Sequence, residues 1–249
     1  MKTAVIGGTG FVGTRLVERL RSRGHETTSH GRSTGLDLLT GAGLPDALRS
    51  VDVVVLTIDA PSFDAAASPF FRSTTQNLLD GAGRAGVGHI VLLSIVGIDR
   101  VPGVDYYTAK ILQEDLIRSG PIPSSVVRAT QFMEFVEPIM SWTSDGDVVR
   151  LPTTRLQPIA VDDAVGTLAD VATGTPVDGI VDVAGPDVFP LDELGRITLR
   201  ARGDERTVVV DESAGLFGAV PETAIIAPPG ARIGAVHYSD WLTSGPPVS

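Results

Sequence analysis

The chain of 249 residues contains no cysteine. That excludes disulfides, thiolate catalysis and cysteine-based metal centres. Aromatic residues make up only 5%, and no run of eighteen apolar residues is present to span a bilayer. Basic residues are scarce too: 20 Lys and Arg stand against 30 Asp and Glu, a net charge of -10 that opposes binding to phosphate backbones. His25, His30, His89 and His237 are scattered without metal-ligand spacing, so no metal is expected. A strand pattern begins at once at the N-terminus, so no secretory segment is expected. The expectation is a cytoplasmic protein, monomer or homodimer, that engages neither nucleic acid nor membrane.

What is present is rhythm. Short Val- and Ile-rich runs alternate with amphipathic stretches through the first 130 residues. Strands are expected at residues 2–6, near His25–Ser29, and at Val51–Ile58, His89–Ile95 and Ser124–Ala129. Helices are expected at about Phe11–Ser22, Pro69–Ala85 and Val104–Ser119. This alternation predicts an α/β fold, a doubly wound Rossmann-type parallel sheet with a small C-terminal substrate-binding subdomain. Residues 1–130 form the core in this reading. Residues 131–249 supply the remaining sheet elements, interleaved with the subdomain. There the pattern predicts helices at Gln131–Met140, Asp162–Val171 and Leu191–Ala201 and a strand at Val177–Val183, with extended or loop segments from about Asp211.

Two motifs carry chemistry. Gly7-Gly8-Thr9-Gly10-Phe11-Val12-Gly13 follows the first strand and opens the first helix. Glycines at this spacing allow a tight turn, a close backbone approach to a pyrophosphate and close helix–strand packing. Gly7, Thr9, Gly10, Phe11, Val12 and Gly13 are therefore candidate dinucleotide contacts. A carboxylate at the end of the second strand would bind the ribose hydroxyls of NAD, but the sequence there is Ser29-His30-Gly31-Arg32-Ser33. Arg32 suits a 2′-phosphate and Ser33 adds a hydroxyl, so NADP is expected, with NADPH preferred over NADH. Arg15 is a weaker auxiliary candidate, and Asp37 a candidate for the adenine amino group.

The second motif is Tyr106-Tyr107-Thr108-Ala109-Lys110. Tyr106 and Lys110 lie four apart on an expected helix and so share a face. An ammonium beside a phenol is expected to lower the phenol's pKa, fitting Tyr106 to move a proton. Lys110 can also bond the nicotinamide ribose. Ser94 stands at the carboxyl end of its strand, where it can orient a substrate oxygen.

Gly7–Gly13, Ser94 and Tyr106–Lys110 together resemble the short-chain dehydrogenase/reductase superfamily, in the form of its atypical, NmrA-like NAD(P)-binding branch. Leu92–Asp99, Val127–Phe132, Pro158–Ala164 and Ala184-Gly185-Pro186 extend the likeness over nearly the whole chain. The resemblance implies a catalytic set of Ser94, Tyr106 and Lys110. It also implies that Thr57 and Ile58 flank the cofactor, that Asn77 is a structural asparagine near the site, and that Phe132 lies near the nicotinamide. Some members of this branch lack the Tyr/Lys pair and sense dinucleotides without turnover; this chain keeps both residues.

Phe132, Met133, Phe135, Val136, Ile139, Met140 and Trp142, with Phe63, are expected to wall an apolar pocket, and Gln131 and Glu134 to offer polar contacts. The expected activity is NADPH-dependent reduction of a ketone in a small apolar, cyclic or aromatic molecule. Quinone or enone reduction, or epimerisation, on the same platform is the first alternative. A non-catalytic NAD(P) sensor is the second.

Overall fold

The computed structural model of the protein describes residues 1–244. Along the chain, β1 (Lys2–Ile6) leads into α1 (Phe11–Ser22), followed by β2 (Glu26–His30), the short α2 (Leu44–Ala47), β3 (Val53–Leu56) and α3 (Ala67–Ala85). Then come β4 (His89–Ile95), α4 (Asp105–Arg118), β5 (Ser124–Ala129) and α5 (Val136–Trp142). The later elements are β6 (Ser144–Asp145), β7 (Val148–Leu151), β8 (Arg155–Leu156), α6 (Val161–Thr173), β9 (Gly179–Ala184), β10 (Phe189–Pro190) and α7 (Leu191–Arg202). β11 (Thr207–Val210), β12 (Arg232–Ile233) and α8 (Tyr238–Ser244) complete the order.

The chain divides into two compact units that alternate along the sequence. The first comprises Met1–Ser94, Pro102–Arg128 and Val165–Val181; the second comprises Ile95–Val101, Ala129–Ala164 and Asp182–Ser249. In the first, the sheet runs β9-β5-β4-β3-β1-β2. β1 pairs in parallel with β2 and β3, and β3 with β4. Composition explains these positions. β3 is Val-Val-Val-Leu and fully buried, as a strand covered on both faces must be, whereas the polar Glu-Thr-Thr-Ser-His of β2 sits at an edge. The apolar face of α3 packs into a core with Leu48, Leu56, Ile90 and Leu92. This is the doubly wound Rossmann-type α/β fold that the alternation predicts.

β1 is flanked by β2 on one side and β3 on the other, so the strand order reverses beside it. Open α/β sheets bind ligands in the crevice beyond the carboxyl ends of strands at such a reversal. The glycine turn after β1 and Thr57–Asp59 after β3 lie at that edge.

In the second unit, β6, β7 and β11 form a three-stranded sheet, β8 pairs with β10, and β12 pairs in parallel with Val183 and Ala184 at the end of β9. α7 packs so closely that a Cβ on Gly195 would meet Leu151 Cδ1 at 2.5 Å. The expected helix over Gln131–Met140 is shortened. Ile159 takes the Gln131 carbonyl and the Met133 amide, an extended bridge that delays helical turns to Met133–Phe135 and then α5. The region after Asp211, expected as loops, contains β12 and α8. The latter is held by Tyr238, whose hydroxyl bonds Thr198 Oγ1 at 2.7 Å and whose ring stacks on Trp241.

A Cβ on Gly13 would stand 2.1 Å from the Gly7 carbonyl oxygen, backbone that cannot move aside without breaking the α1–β1 approach. Gly13→Ala is expected to destabilise the protein by about 1–3 kcal/mol, measured as a lower urea midpoint at unchanged slope.

Candidate active site

Gly7 adopts the left-handed conformation, φ 87°, and a Cβ there would meet Thr57 Oγ1 at 2.8 Å and the Thr57 carbonyl carbon at 2.9 Å. The amides of Gly7 and Gly8 both donate to the His30 carbonyl, tying the turn to the end of β2. Gly8 is equally confined, since a Cβ would meet Ser29 Oγ at 2.6 Å. α1 then begins after Gly10 with no side-chain cap and no acidic residue in its first turn. With no acidic side chain in that turn, the positive end of the helix faces whatever sits over the glycines. These features fit a dinucleotide pyrophosphate. Phe11 and Val12 form the first turn, with the Arg15 guanidinium 4.2 Å above the Phe11 ring centroid and one of its nitrogens donating to the Phe11 carbonyl. Thr9 lies against Gly31, where a Cβ would meet its Oγ1 at 2.7 Å.

Arg32 and Ser33 are exposed on the single 3-10 turn that follows β2. Thr34 holds that turn, its Oγ1 accepting from the Gly31 amide and donating to the Gly31 carbonyl. Asp37 accepts the Leu39 amide through Oδ1 at 2.8 Å, which engages one oxygen of the candidate adenine contact. Asn77, on α3, donates its carboxamide to the carbonyls of Leu38 and Leu39, at 2.8 and 3.0 Å. It thus fixes the loop that carries Asp37. Thr57 is bound to Ile6 through both its amide and its hydroxyl, and Ile58 packs against the core.

Ser94, Tyr106 and Lys110 all belong to the first unit, and all three are buried. The Ser94 hydroxyl has no hydrogen-bond partner among the described residues. A buried unpaired hydroxyl is costly unless something arrives to bond it, which suits a group awaiting a substrate oxygen. Lys110 donates to the Leu93 carbonyl at 3.1 Å and to Gln113 Oε1 at 2.7 Å, and lies 4.9 Å from the centre of the Phe71 ring. Two of its three N–H donors are thereby used. Burial pulls its pKa down to about 8, against the upward pull of Asp59 and Glu114. One turn on, Glu114 and Arg128 form a buried two-pronged ion pair, the shortest arm 2.6 Å.

Tyr106 departs from expectation. Its hydroxyl donates to Asp59 Oδ1 at 2.6 Å, and its pKa lies above the ordinary phenol value, raised first by burial and then by the Asp59 charge. The expected lowering by Lys110 is absent because the lysine's protein hydrogen bonds go to Leu93 and Gln113, while a carboxylate holds the phenol. Phe63 meets the Tyr106 ring edge-on at 4.9 Å. Asp59 was not among the expected site residues. The signal was its place just beyond the carboxyl end of a central strand.

In the second unit, Phe132 makes the parallel bridge to Ile159, and its ring packs beside that of Phe135. Met133, Val136, Ile139 and Met140 are core residues with at most 4% exposure. The apolar wall expected from them is therefore mostly interior packing, with Phe135 and Trp142 exposed. Glu134 is a structural acceptor for the Val161 amide and the Trp241 indole.

Because the folded pKa of Lys110 lies below the unfolded lysine value, the unfolded chain binds the extra proton between about pH 8 and 10, and stability rises with pH across that window. Lys110→Met is expected to flatten this rise, as read from urea midpoints at pH 7, 8, 9 and 10. Glu114→Ala, which removes the buried carboxylate paired with Arg128, is expected to cost about 3–5 kcal/mol in the same assay.

Comparisons with known proteins bear on the family and the fold. Residues 7–138, just over half of the chain, match the family described as NAD(P)H-binding. The chain is 27% identical over 208 residues to the (4-alkanoyl-5-oxo-2,5-dihydrofuran-3-yl)methyl phosphate reductase of Streptomyces griseus, covering 76% of this chain and 70% of that one. It is 30% identical over 151 residues to the decarboxylating sterol-4-alpha-carboxylate 3-dehydrogenase of Bos taurus, covering 49% of this chain and 42% of that protein, so it spans less than half of that relative. Among solved structures, the dTDP-glucose 4,6-dehydratase DesIV of Streptomyces venezuelae, with NAD and TYD bound, matches 85% of each chain with a TM-score of 0.69 at 22% identity. On that family match and its strand order, the chain belongs to the NAD(P)H-binding family, within the short-chain dehydrogenase/reductase superfamily.

Proposed function

We propose that this NAD(P)-dependent oxidoreductase of short-chain dehydrogenase/reductase type reduces the carbonyl group of a small molecule, with NADPH as the preferred donor. The observation that carries the reading is the Tyr106 hydroxyl, which is held as a neutral phenol with its proton directed at Asp59. A site arranged in this way keeps an acid ready. When bound in reduced form, the nicotinamide supplies hydride at the carbonyl carbon. Tyr106 delivers a proton to the carbonyl oxygen, and the buried Ser94 hydroxyl orients that oxygen. Lys110 has one N–H left for a ribose hydroxyl. Gly7, Thr9, Gly10, Phe11, Val12 and Gly13 hold the pyrophosphate, Arg32 and Ser33 the 2′-phosphate, Asp37 the adenine, and Thr57, Ile58 and Asn77 complete the first unit's surroundings of the cofactor.

With Met133, Val136, Ile139 and Met140 committed to the core, nothing requires the substrate to be strongly apolar. The Streptomyces griseus relative is named as a reductase of an oxygen-rich furanone phosphate, which supports a small polar carbonyl compound. A second reading is oxidation, either outright or as the transient first step of an epimerisation. The bovine relative's name, a dehydrogenase, favours it. The dinucleotide-sensor reading is disfavoured by the intact Ser94, Tyr106 and Lys110.

Tyr106→Phe is expected to cut kcat by at least about 100-fold on a panel of ketones, aldehydes and hydroxyketones, with NADPH binding unchanged. Equal turnover by the variant would overturn the proton-donor role. In fluorescence titrations NADPH is expected to bind more tightly than NADH, and Arg32→Ala to lose at least about tenfold of that preference. Tighter binding of NADH by the parent protein would overturn the Arg32 assignment.

A further inference from the structure

The Tyr106–Asp59 bond leads beyond the three residues that define the superfamily site. We propose that Asp59 is a positioning residue which keeps Tyr106 loaded with its proton, so that the donor form persists into alkaline solution. This inference rests on the reading of Tyr106 as the proton donor.

The geometry is specific. Asp59 lies in the loop after β3, and its Oδ1 accepts two donors, the Tyr106 hydroxyl at 2.6 Å and the Ala60 amide at 2.8 Å. The second bond fixes the carboxylate, and the first has the length of a charge-assisted hydrogen bond. The other groups packed on Tyr106 are Phe63 from the same loop, Phe71 from α3 and Tyr107 on α4. Lys110, one turn further on the same helix, directs its protein bonds to Leu93 and Gln113, and the other cation of α4, Arg118, stands in its last turn. The Tyr106 hydroxyl therefore has a negative charge as its immediate partner. Removing its proton would leave phenolate and carboxylate oxygens in contact, an arrangement that like charges disfavour.

The proton balance follows. In the reduction, the carbonyl carbon gains a hydride and the carbonyl oxygen gains the proton that leaves Tyr106 Oη. The phenolate so formed takes a replacement proton from water, and the overall reaction consumes one proton from solution. The substrate oxygen, alkoxide-like as hydride arrives, is more basic than a phenolate, so Tyr106 remains a competent donor despite its raised pKa. With Asp59 alongside, the phenolate is short-lived and the donor refills at once. Reduction then stays active at alkaline pH, while oxidation, which begins from phenolate, switches on only at high pH.

The test separates this inference from the functional reading by using the cofactor-free protein. Tyr106 is replaced by a ring-fluorinated, more acidic tyrosine, and its ionisation is followed by fluorine NMR in the parent background and with Asp59→Asn or Asp59→Glu. Asp59→Asn is expected to lower the midpoint by at least about one pH unit, and Asp59→Glu to restore most of it. Equal midpoints in the parent and Asp59→Asn backgrounds would overturn the proposal. Asp59 is exposed and Asn matches its shape, and a heat-denaturation scan of each variant confirms that the fold is kept. In unlabelled enzyme, the alkaline limb of kcat/KM for reduction is expected to fall at lower pH in Asp59→Asn, with Asp59→Glu close to the parent. A midpoint shift together with full turnover by Tyr106→Phe would leave the Asp59 coupling standing while removing Tyr106 from catalysis.

Discussion

Lys110 carries a charge into a place that water scarcely reaches, and much of the first unit is arranged around that fact. A buried ammonium is tolerated only where dipoles and counter-charges replace its hydration. Here the Leu93 carbonyl, the Gln113 carboxamide and the face of Phe71 do so directly, with the Glu114–Arg128 pair one turn further along. Lys110, Gln113 and Glu114 stand at helical spacings of three and four, so one side of α4 is polar and yet faces inward. That inward polarity ties α4 to β4 through Leu93 and to β5 through Arg128. Tyr106, one turn earlier on the same helix, inherits its position from those ties.

The glycine cradle obeys a different constraint, that of space. At Gly7, Gly8 and Gly13 an added carbon would lie within 3 Å of neighbouring atoms, backbone among them. The close approach leaves the opening amides of α1 directed at the crevice beside β1 and β3. One half of the site is thus shaped by what is missing from side chains, and the other by charge that has been buried and balanced.

The strand and helix alternation of the first 130 residues was legible because each element announces itself locally. The run ending at Leu56 is purely aliphatic, and α1 and α3 show clear apolar faces. Ser94, Tyr106 and Lys110 stand out in the sequence by spacing and by position at strand and helix ends, and the fold buries all three. Their electrostatics were not: which carboxylate meets the Tyr106 hydroxyl depends on a contact 47 residues away in sequence. The second unit resisted for a related reason. The start of the Gln131–Met140 helix is taken over by a bridge to Ile159, and α8 is only seven residues long and depends on tertiary partners. Thr207-Val208-Val209-Val210 has a strand's composition, but its parallel partner, β7, is a distant segment. The aromatic and methionine residues after Gln131 have helical spacing, which a pocket wall and a core share. Burial distinguishes them, and burial belongs to the assembled fold.

The alternation of the two units along the chain bears on how the protein is made. Five junctions separate their segments, at Ser94/Ile95, Val101/Pro102, Arg128/Ala129, Ala164/Val165 and Val181/Asp182. A ribosome therefore releases the glycine turn, Asp59, Ser94 and Tyr106 well before the last piece of their own unit, which ends at Val181. Until then β5 lacks its neighbour β9, and a sheet edge waits unpaired. The nascent chain must hold that edge open through the synthesis of some fifty further residues after β5, a burden that falls on chaperones and on the speed of translation.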